Sequence, residues 1–152
     1  MNQQAAKKYL ETKVRTATAE QLQMMLFDGA LRFCEQGKVA LEKKNYEQSH
    51  QALSSAQAIV NQLICSLRPD VMPELCKKLK GLYTFAYRRL VDANLHHKIQ
   101  SLEEATNVLK YQRRTWALLM EQLGKKKAAE AATKVDFPGP DSRMEAKISF
   151  EG

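Results

Sequence analysis

Residues 45–67 read NYEQSHQALSSAQAIVNQLICSL, a segment in which apolar residues return every three or four positions. The members of this stripe are Ala52, Leu53, Ala56, Ile59, Val60, Leu63, Ile64 and Leu67. A helix turns by about 100° per residue, so this spacing places them on one face. Asn45 precedes the segment, and its side chain can accept a hydrogen bond from an amide of the first turn. The segment therefore predicts an amphipathic α-helix that needs partners for its apolar face.

Three further helices are predicted on either side of this segment, each with a start signal. Thr18 can cap a helix while Gln21 reaches back to it, and Pro73 suits a first turn because its missing N–H leaves no bond unmade. Ser101 stands three residues before Glu104, which is the spacing of a capping box. The connecting turns are short and are predicted at residues 43–45, 68–72 and 96–100. Short connections favour antiparallel neighbours, so the sequence predicts an all-α fold, an antiparallel up-down four-helix bundle.

Composition supports a single helical domain in a reducing compartment. The chain has 152 residues, of which 44% are hydrophobic, and only 6 Gly and 4 Pro interrupt its many good helix formers. The cysteines, Cys34, Cys65 and Cys76, are odd in number and form no CxxC pair, so we expect reduced thiols. No long apolar run or signal peptide is visible in the sequence. We therefore expect a cytoplasmic protein without membrane insertion.

The charge of the chain leaves two interpretations open. The formal net charge is +7, which suits a nucleic acid or an anionic membrane surface but is also typical of solvated, Lys-rich helix faces. Acidic residues are interspersed throughout, and the basic residues form no single stripe with interleaved aromatics, which favours solvated faces and no nucleic acid. A nucleic-acid-binding bundle stays an alternative, and it predicts binding that weakens steeply with salt.

Signals for catalysis are weak. The sequence has no Gly-rich phosphate loop, no GxSxG or HExxH motif and no zinc-spaced Cys/His set. His96 and His97 are adjacent, so on a helix their side chains diverge, and a role at a helix end is favoured over metal binding. Cys34 could act as a nucleophile only beside a histidine, which the sequence cannot show. We expect no enzyme, no cofactor and no metal site.

The helix predicted after Thr18 has more apolar residues than one core stripe needs. The residues taken as its core stripe are Leu22, Met25, Leu26, Gly29, Ala30, Phe33 and Leu41, and those on the opposite side are Met24, Phe27, Leu31 and Cys34. An exposed apolar cluster is a binding surface or an aggregation hazard, although a bundle also buries some flanking residues. We predict a groove for a partner's amphipathic helix, formed by Met24, Phe27, Leu31, Tyr87, Val91, Tyr111 and Leu118.

Two segments lie outside the predicted bundle, which spans residues 18–124. Residues 1–17 form a polar segment with isolated apolar residues, namely Tyr9, Leu10 and Val14. Residues 125–152 begin KKKAAEAATK and pass through Pro-Gly-Pro, which is typical of a frayed helix end followed by a flexible tail. The sequence therefore predicts a flexible N-terminal segment, one bundle domain and a C-terminal tail.

A set of short strings in a fixed order carries a family resemblance. The first are Lys8-Tyr9, Val14, Thr16-Ala17-Thr18, Glu20-Gln21-Leu22 and Met25-Leu26-Phe27-Asp28-Gly29-Ala30. Later come Leu82-Tyr83, Tyr87-Arg88-Arg89-Leu90-Val91-Asp92-Ala93-Asn94 and Trp116. Their order and spacing, from about Tyr9 to Leu123, resemble the flagellar secretion chaperone family FliS. The chain departs from that pattern at Ala19, where Pro is frequent, and after Tyr83, where Asp/Glu-Tyr-Met is more usual.

The resemblance implies an antiparallel helical bundle that binds the disordered C-terminal region of flagellin in the cytoplasm. It implies that the chaperone keeps flagellin from polymerising early and brings it to the type III export gate. It also implies that the N-terminal segment, here Tyr9, Leu10 and Val14, lies over part of the groove and moves aside for flagellin. The sequence leaves open another client, such as an anti-sigma factor or another filament subunit, and either a monomer or a weak dimer.

The string at residues 87–94 also gives local expectations. Arg88 and Arg89 are expected to pair with Asp28 or with another carboxylate, or else to be solvated, since exposed pairs contribute little. Asn94 is expected to end its helix in a left-handed conformation.

Overall fold

The computed structural model describes residues 2–136, with the side chains of residues 2–133. Within this range the chain forms five α-helices and no strand. The helices are α1 (Asn2–Thr16), α2 (Ala19–Glu42), α3 (Tyr46–Cys65), α4 (Pro73–His96) and α5 (Ile99–Asp136). The all-α prediction is confirmed, with one helix more than the sequence predicted.

The additional helix, α1, forms where the sequence predicts a polar segment with isolated apolar residues. Its Ala, Gln, Lys and Glu residues are good helix formers. Thr12 and Thr16 donate hydroxyl hydrogen bonds to the carbonyl oxygens of Lys8 and Thr12, both at 3.0 Å. No residue of α1 is buried. A helix of this length is marginal alone in water, so the few contacts of α1 decide whether it persists.

Three of the predicted helix starts are confirmed. At the start of α2, the Thr18 hydroxyl accepts from Gln21 N at 3.1 Å, and the Gln21 side chain accepts from Thr18 N at 3.0 Å. At the start of α3, Asn45 Oδ1 accepts from Gln48 N at 3.3 Å. Pro73 is the first residue of α4. Side-chain caps and proline thus fix where these helices begin.

The start of α5 differs from its prediction. Because α5 begins at Ile99, Ser101 lies inside the first turn and does not cap the helix. Its hydroxyl instead donates to Asp92 Oδ2 of α4. This hydrogen bond is the main cause that holds the pKa of Asp92 below its usual value, against a smaller opposing effect of desolvation. The bond ties the end of α4 to the beginning of α5.

The end of α4 also differs from its prediction. His97, and not Asn94, has the left-handed conformation, with φ of 56°, and its ring stacks on Tyr46 with centroids 3.8 Å apart. Asn94 lies inside α4 and donates to Gln57 Oε1 at 2.9 Å and to Ser54 Oγ at 3.3 Å. Asn94 therefore holds α4 against α3. Asn94 lies two residues before the end of α4, where its side-chain amide reaches Ser54 and Gln57 of α3.

The core of the first 115 residues lies between α2, α3, α4 and the beginning of α5. Its largest buried apolar side chains are Phe27, Leu53, Val60, Leu63, Leu90, Leu102 and Leu109. Helix α2 packs against α3, and α3 packs against α4. The side chain of the buried Cys34 in α2 forms a hydrogen bond with Thr106 of α5. Burial of side chains of this size is worth roughly 1.5–3 kcal/mol each, so this core is the main source of stability.

Ion pairs link the helices differently from the expectation for Asp28. Asp28 of α2 pairs with Arg113 of α5, so Asp28 is not the partner among the alternatives left open for Arg88 and Arg89. Arg89 pairs with another carboxylate, Glu104 of α5, at 3.8 Å. Both pairs are substantially exposed, so each contributes little to stability.

Within the described residues the chain separates into two compact units, which divide between Thr115 and Trp116. Helix α5 continues to Asp136, beyond Gly124, the predicted end of the bundle. The residues that follow are mostly Ala, Lys and Glu, which favour helix, and one Gly costs only about 1 kcal/mol. The rest of the predicted tail, residues 137–152, lies outside the described residues.

Candidate functional site

A groove between α2 and α3 is the candidate functional site. Its volume is ≈ 760 Å³. The lining residues are Leu22, Met25, Leu26, Asp28, Gly29 and Arg32 of α2, Ala58, Ile59 and Gln62 of α3, and Leu10, Lys13 and Val14 of α1. Most of these side chains are apolar, with a few charged or amide groups among them. A groove of this size and lining can receive apolar side chains of a partner segment.

The α2 wall of the groove follows from the spacing of its residues. Leu22, Leu26 and Gly29 lie four and three positions apart, which places them on one helix face. Leu22 and Leu26 are half-buried. A Cβ added at Gly29 would lie 3.2 Å from Ile59 Cδ1, closer than ordinary van der Waals contact. The missing side chain at Gly29 therefore lets α3 approach α2 at the floor of the groove.

Helix α1 borders the groove without being held firmly in it. Leu10 and Val14 line the groove, yet they stay 50% and 43% exposed. Tyr9 is 70% exposed and is not among the residues that line it. Lys13 adds a positive charge at the rim. Two of the three residues predicted for the N-terminal segment therefore lie at this groove, each contributing only part of its surface to the contact.

Comparison with known proteins identifies the family. The family model described as Flagellar protein FliS matches residues 1–123. The chain belongs to the FliS family. A flagellar secretion chaperone FliS of Bacillus subtilis (strain 168) is 32% identical over 108 residues, which cover 71% of this chain and 80% of that protein. The flagellar secretion chaperone FliS of Salmonella typhimurium (strain LT2) is 33% identical over 108 residues, covering 70% of this chain and 80% of that protein.

A solved structure has the same fold. It is described as "Crystal structure of flagellar chaperone from bacteria" and superposes with a TM-score of 0.64. The match covers 80% of this chain and 99% of that one, at 16% sequence identity. At this identity the likeness concerns the fold alone. The family match, and not this structure, confirms the resemblance read from the short strings.

In this member of the FliS family, Phe27 is a core residue. Its side chain is 1% exposed, and its ring centroid lies 6.3 Å from that of Tyr83. The prediction that Phe27 belongs to an open groove is therefore wrong, because the ring is enclosed by neighbouring helices. Burial raises the pKa of Tyr83 to about 12, against a smaller opposing effect of its hydrogen bond with Gln23. The side of α2 that carries Phe27 faces the core.

The two apolar sides of α2 are thus partly exchanged relative to the prediction. Leu22, Met25 and Leu26, which were expected in the core, line the groove. Cys34, which was expected on the opposite side, is 1% exposed. Ala30 is buried as predicted. Small residues near Phe27 explain why its side of α2 faces the core, since they let neighbouring helices approach that side closely.

The other residues predicted to bind a partner are distributed over α2, α4 and α5. Met24, Leu31, Tyr87 and Val91 are half-buried, while Tyr111 and Leu118 are 68% and 54% exposed. None of these six side chains is among those that line the α2–α3 groove. Their role in binding stays a prediction. The sequence signal for the groove was present in Leu22, Met25 and Leu26, but their spacing alone also suits a core.

A second cavity continues the crease between α2 and α3. Its volume is ≈ 620 Å³, and its lining residues are Phe33, Glu35, Gln36, Val39, Ala40, Lys43, Gln48, Gln51, Ala52 and Ser55. The first cavity ends on α2 at Arg32 and the second begins at Phe33, its neighbour in the chain. The Arg32 guanidinium lies over the Phe33 ring, 5.4 Å from its centroid. The two cavities therefore follow one another along the same pair of helices.

The described residues give no sign of a metal centre. Across residues 2–133, no three or more His, Cys, Asp or Glu side chains are grouped so that they could hold a metal ion. The three histidines lie near the end of α4 and the beginning of α3, where His50 Nδ1 is 3.0 Å from Asn94 Oδ1. That contact joins two helices.

None of the helices in the described range combines the length and the apolar character that crossing a bilayer requires.

Proposed function

We propose that this protein is a cytoplasmic export chaperone that binds the disordered C-terminal segment of flagellin in the α2–α3 groove. Bound there, the segment cannot polymerise early, and the complex is brought to the flagellar type III export gate. The protein acts by binding and has no catalytic role. The observation that carries the proposal is an apolar groove, bordered by a weakly held helix, in a chain of the FliS family.

The chemistry of the groove supports a helical client. Leu22, Leu26 and Ile59 offer apolar surface in a narrow crease, the arrangement used to receive the apolar face of an amphipathic helix. A segment that is disordered when free must be ordered on binding, which costs several kcal/mol. A groove that runs along two helices supplies the extended contact needed to offset that cost.

Helix α1 fits the role of a cover over the groove. Residues 1–17 would form this cover, residues 18–124 the chaperone domain and residues 125–152 a tail. Leu10 and Val14 shield part of the apolar lining in the free protein, which reduces its tendency to aggregate. Because no residue of α1 is buried, a client with more apolar contacts can displace it.

We further propose that the four helices from α2 to α5 form an antiparallel bundle. Asp28, early in α2, pairs with Arg113, while Lys38, late in α2, pairs with Glu103 at 3.6 Å. The residue later in α2 therefore pairs with the residue earlier in α5, which means that the two helices run in opposite directions. An antiparallel arrangement holds α2 and α3 side by side, as the groove requires.

Calorimetry with a synthetic peptide of a flagellin C-terminal segment tests the proposed function. We expect one peptide to bind per chaperone, with a gain in peptide helicity measured by circular dichroism. Leu26→Asp should weaken binding by at least about tenfold, or about 1.4 kcal/mol, because a carboxylate would face the apolar side of the client. Failure of the unaltered protein to bind the peptide would refute the function, whatever other client it has.

A matched control separates the groove from general damage. Leu95→Asp introduces the same change at a residue that is 69% exposed near the end of α4, and it should leave affinity unchanged. Equal affinity of the Leu26→Asp variant and the unaltered protein would place the binding site elsewhere. Phe27→Asp is unsuitable as a probe, because a charge at this core position would destabilise the fold.

A further inference from the structure

The crease between α2 and α3 has a covered half and an open half. The covered half is the cavity to which Leu10 and Val14 of α1 contribute. The open half is the cavity that begins at Phe33, and all of its lining residues in the described chain belong to α2, α3 and the turn between them. Both halves lie on one side of α2, because Leu26, Gly29 and Phe33 are spaced by three and four residues.

Resting on the function proposed above, we propose that a helical client segment docks first in the open half and that α1 leaves the covered half afterwards. Binding then takes place in two steps. The open half, with Phe33, Val39 and Ala52, serves as the entry site. The covered half becomes available only when the client is already attached.

The structure indicates what kind of segment fits the open half. In the covered half the crease already receives a helix, α1, through apolar residues four positions apart, Leu10 and Val14. The open half continues the same pair of helix walls, so a helix with similarly spaced apolar residues fits it as well. Its rim carries amides, Gln36, Gln48 and Gln51, and the charges of Glu35 and Lys43 are of opposite sign. The spacing of apolar residues in the client helix therefore matters more for binding at the entry site than the charge of the client does.

The order of the two binding steps follows from which half of the crease a client can reach first. Val39 is 41% exposed, so a client can contact it without any movement of the protein. In the covered half, Leu10 and Val14 of α1 form part of the lining, so a client helix that continues along the crease has to replace them. Once the client is attached nearby, its remaining part competes with α1 at a high effective concentration, as in other tethered interactions. The weak burial of Leu10 and Val14 makes that exchange easy.

Stopped-flow kinetics with a fluorescently labelled flagellin C-terminal peptide tests this order. Val39→Asp in the full-length protein should lower the second-order association rate constant by about tenfold, because it removes the apolar entry site. Val71→Asp, at an exposed residue in the turn between α3 and α4, is the matched control and should leave it unchanged. Circular dichroism verifies that both variants keep their helicity.

A second variant distinguishes this order from its opposite. Leu10→Ser with Val14→Ser loosens α1, and in the proposed order it speeds the later, concentration-independent phase while the second-order rate constant stays within about twofold. If α1 must open before any client binds, the same variant raises the second-order rate constant instead, and the proposal fails. An unchanged association rate in Val39→Asp also overturns it, whereas absence of any binding by the unaltered protein refutes the proposed function itself.

Discussion

At the scale of single residues, the burial of Cys34 makes its thiol differ in reactivity from the thiols of the other two cysteines. Burial raises the pKa of the Cys34 thiol to about 11, against a smaller opposing effect of its hydrogen bond with Thr106. Cys65 is exposed and Cys76 is half-buried. The thiolate is the reactive form, and at pH 8 a thiol with this pKa is ionised in roughly one molecule in a thousand. Cys34 therefore acts as a small apolar residue of the core.

This predicts a thiol that reacts only after unfolding. In a Cys65→Ser, Cys76→Ser variant, an aromatic disulfide reagent at pH 8 should label no thiol in the native protein and one thiol in denaturant, measured by absorbance. The Cys34→Ser variant should instead react rapidly under native conditions through Cys65. Rapid native labelling of Cys34 would show that α2 opens readily and that this part of the core is looser than its burial indicates.

At the scale of elements, Gly37 sets how closely α2 and α3 approach. A Cβ at this position would lie 2.6 Å from Leu53 Cδ2 and 3.0 Å from Leu53 Cγ. Leu53 is fully buried, and the close packing of protein interiors leaves such a side chain little room to move. The two helices that form the groove would have to separate to accommodate a methyl group.

We therefore expect Gly37→Ala to destabilise the protein by about 1–3 kcal/mol, the usual cost of overpacking. Gly81→Ala is the matched control, since a Cβ at Gly81 meets nothing within 4 Å and the residue lies inside α4. It should stabilise the protein by about 0.5–1 kcal/mol, because Ala loses less entropy than Gly in a helix. Urea unfolding followed by circular dichroism measures both. Equal stability of the Gly37→Ala variant and the unaltered protein would contradict the close approach.

The elements also show how far sequence reasoning reaches. Caps at Thr18 and Asn45 and the first-turn Pro73 are local signals, and they located three helix starts correctly. The core side of α2 depends on which neighbours pack against it, so spacing alone could not choose between two apolar faces. Ala30, Cys34 and Gly37 held the available clue, because small residues mark the side where helices come closest.

The same distinction applies to the ends of helices and to the groove. Ser101 matched a capping box in sequence, but its hydroxyl bonds to Asp92 of a neighbouring helix, a contact that local spacing cannot reveal. The sequence marks Leu10 and Val14 as apolar residues of a polar segment, yet their position beside Leu26 follows only from the three-dimensional path of α1. Tertiary contacts decide both features.

At the scale of the whole molecule, the arrangement predicts a gradient of local stability. Helix α1 has no buried residue, whereas α2, α3 and α4 each contribute several residues to the core. Elements with few buried contacts open at low free energy, and core helices open only with global unfolding. Amide hydrogens of α1 should therefore exchange much faster than those of α3, where Leu53, Val60 and Leu63 are fully buried.

Adding the client changes this gradient in a way that identifies the binding surface. With a saturating flagellin C-terminal peptide, hydrogen exchange measured by mass spectrometry should slow in α2 and α3 and become faster in α1, because the peptide replaces α1 in the groove. If protection instead appears on α4 and α5 around Tyr87, Val91 and Tyr111, the surface predicted from sequence binds the client and the α2–α3 groove does not. Protection of both surfaces would mean that the client extends beyond the groove onto the second one. A peptide shortened from either end would then show which part of the client binds each surface.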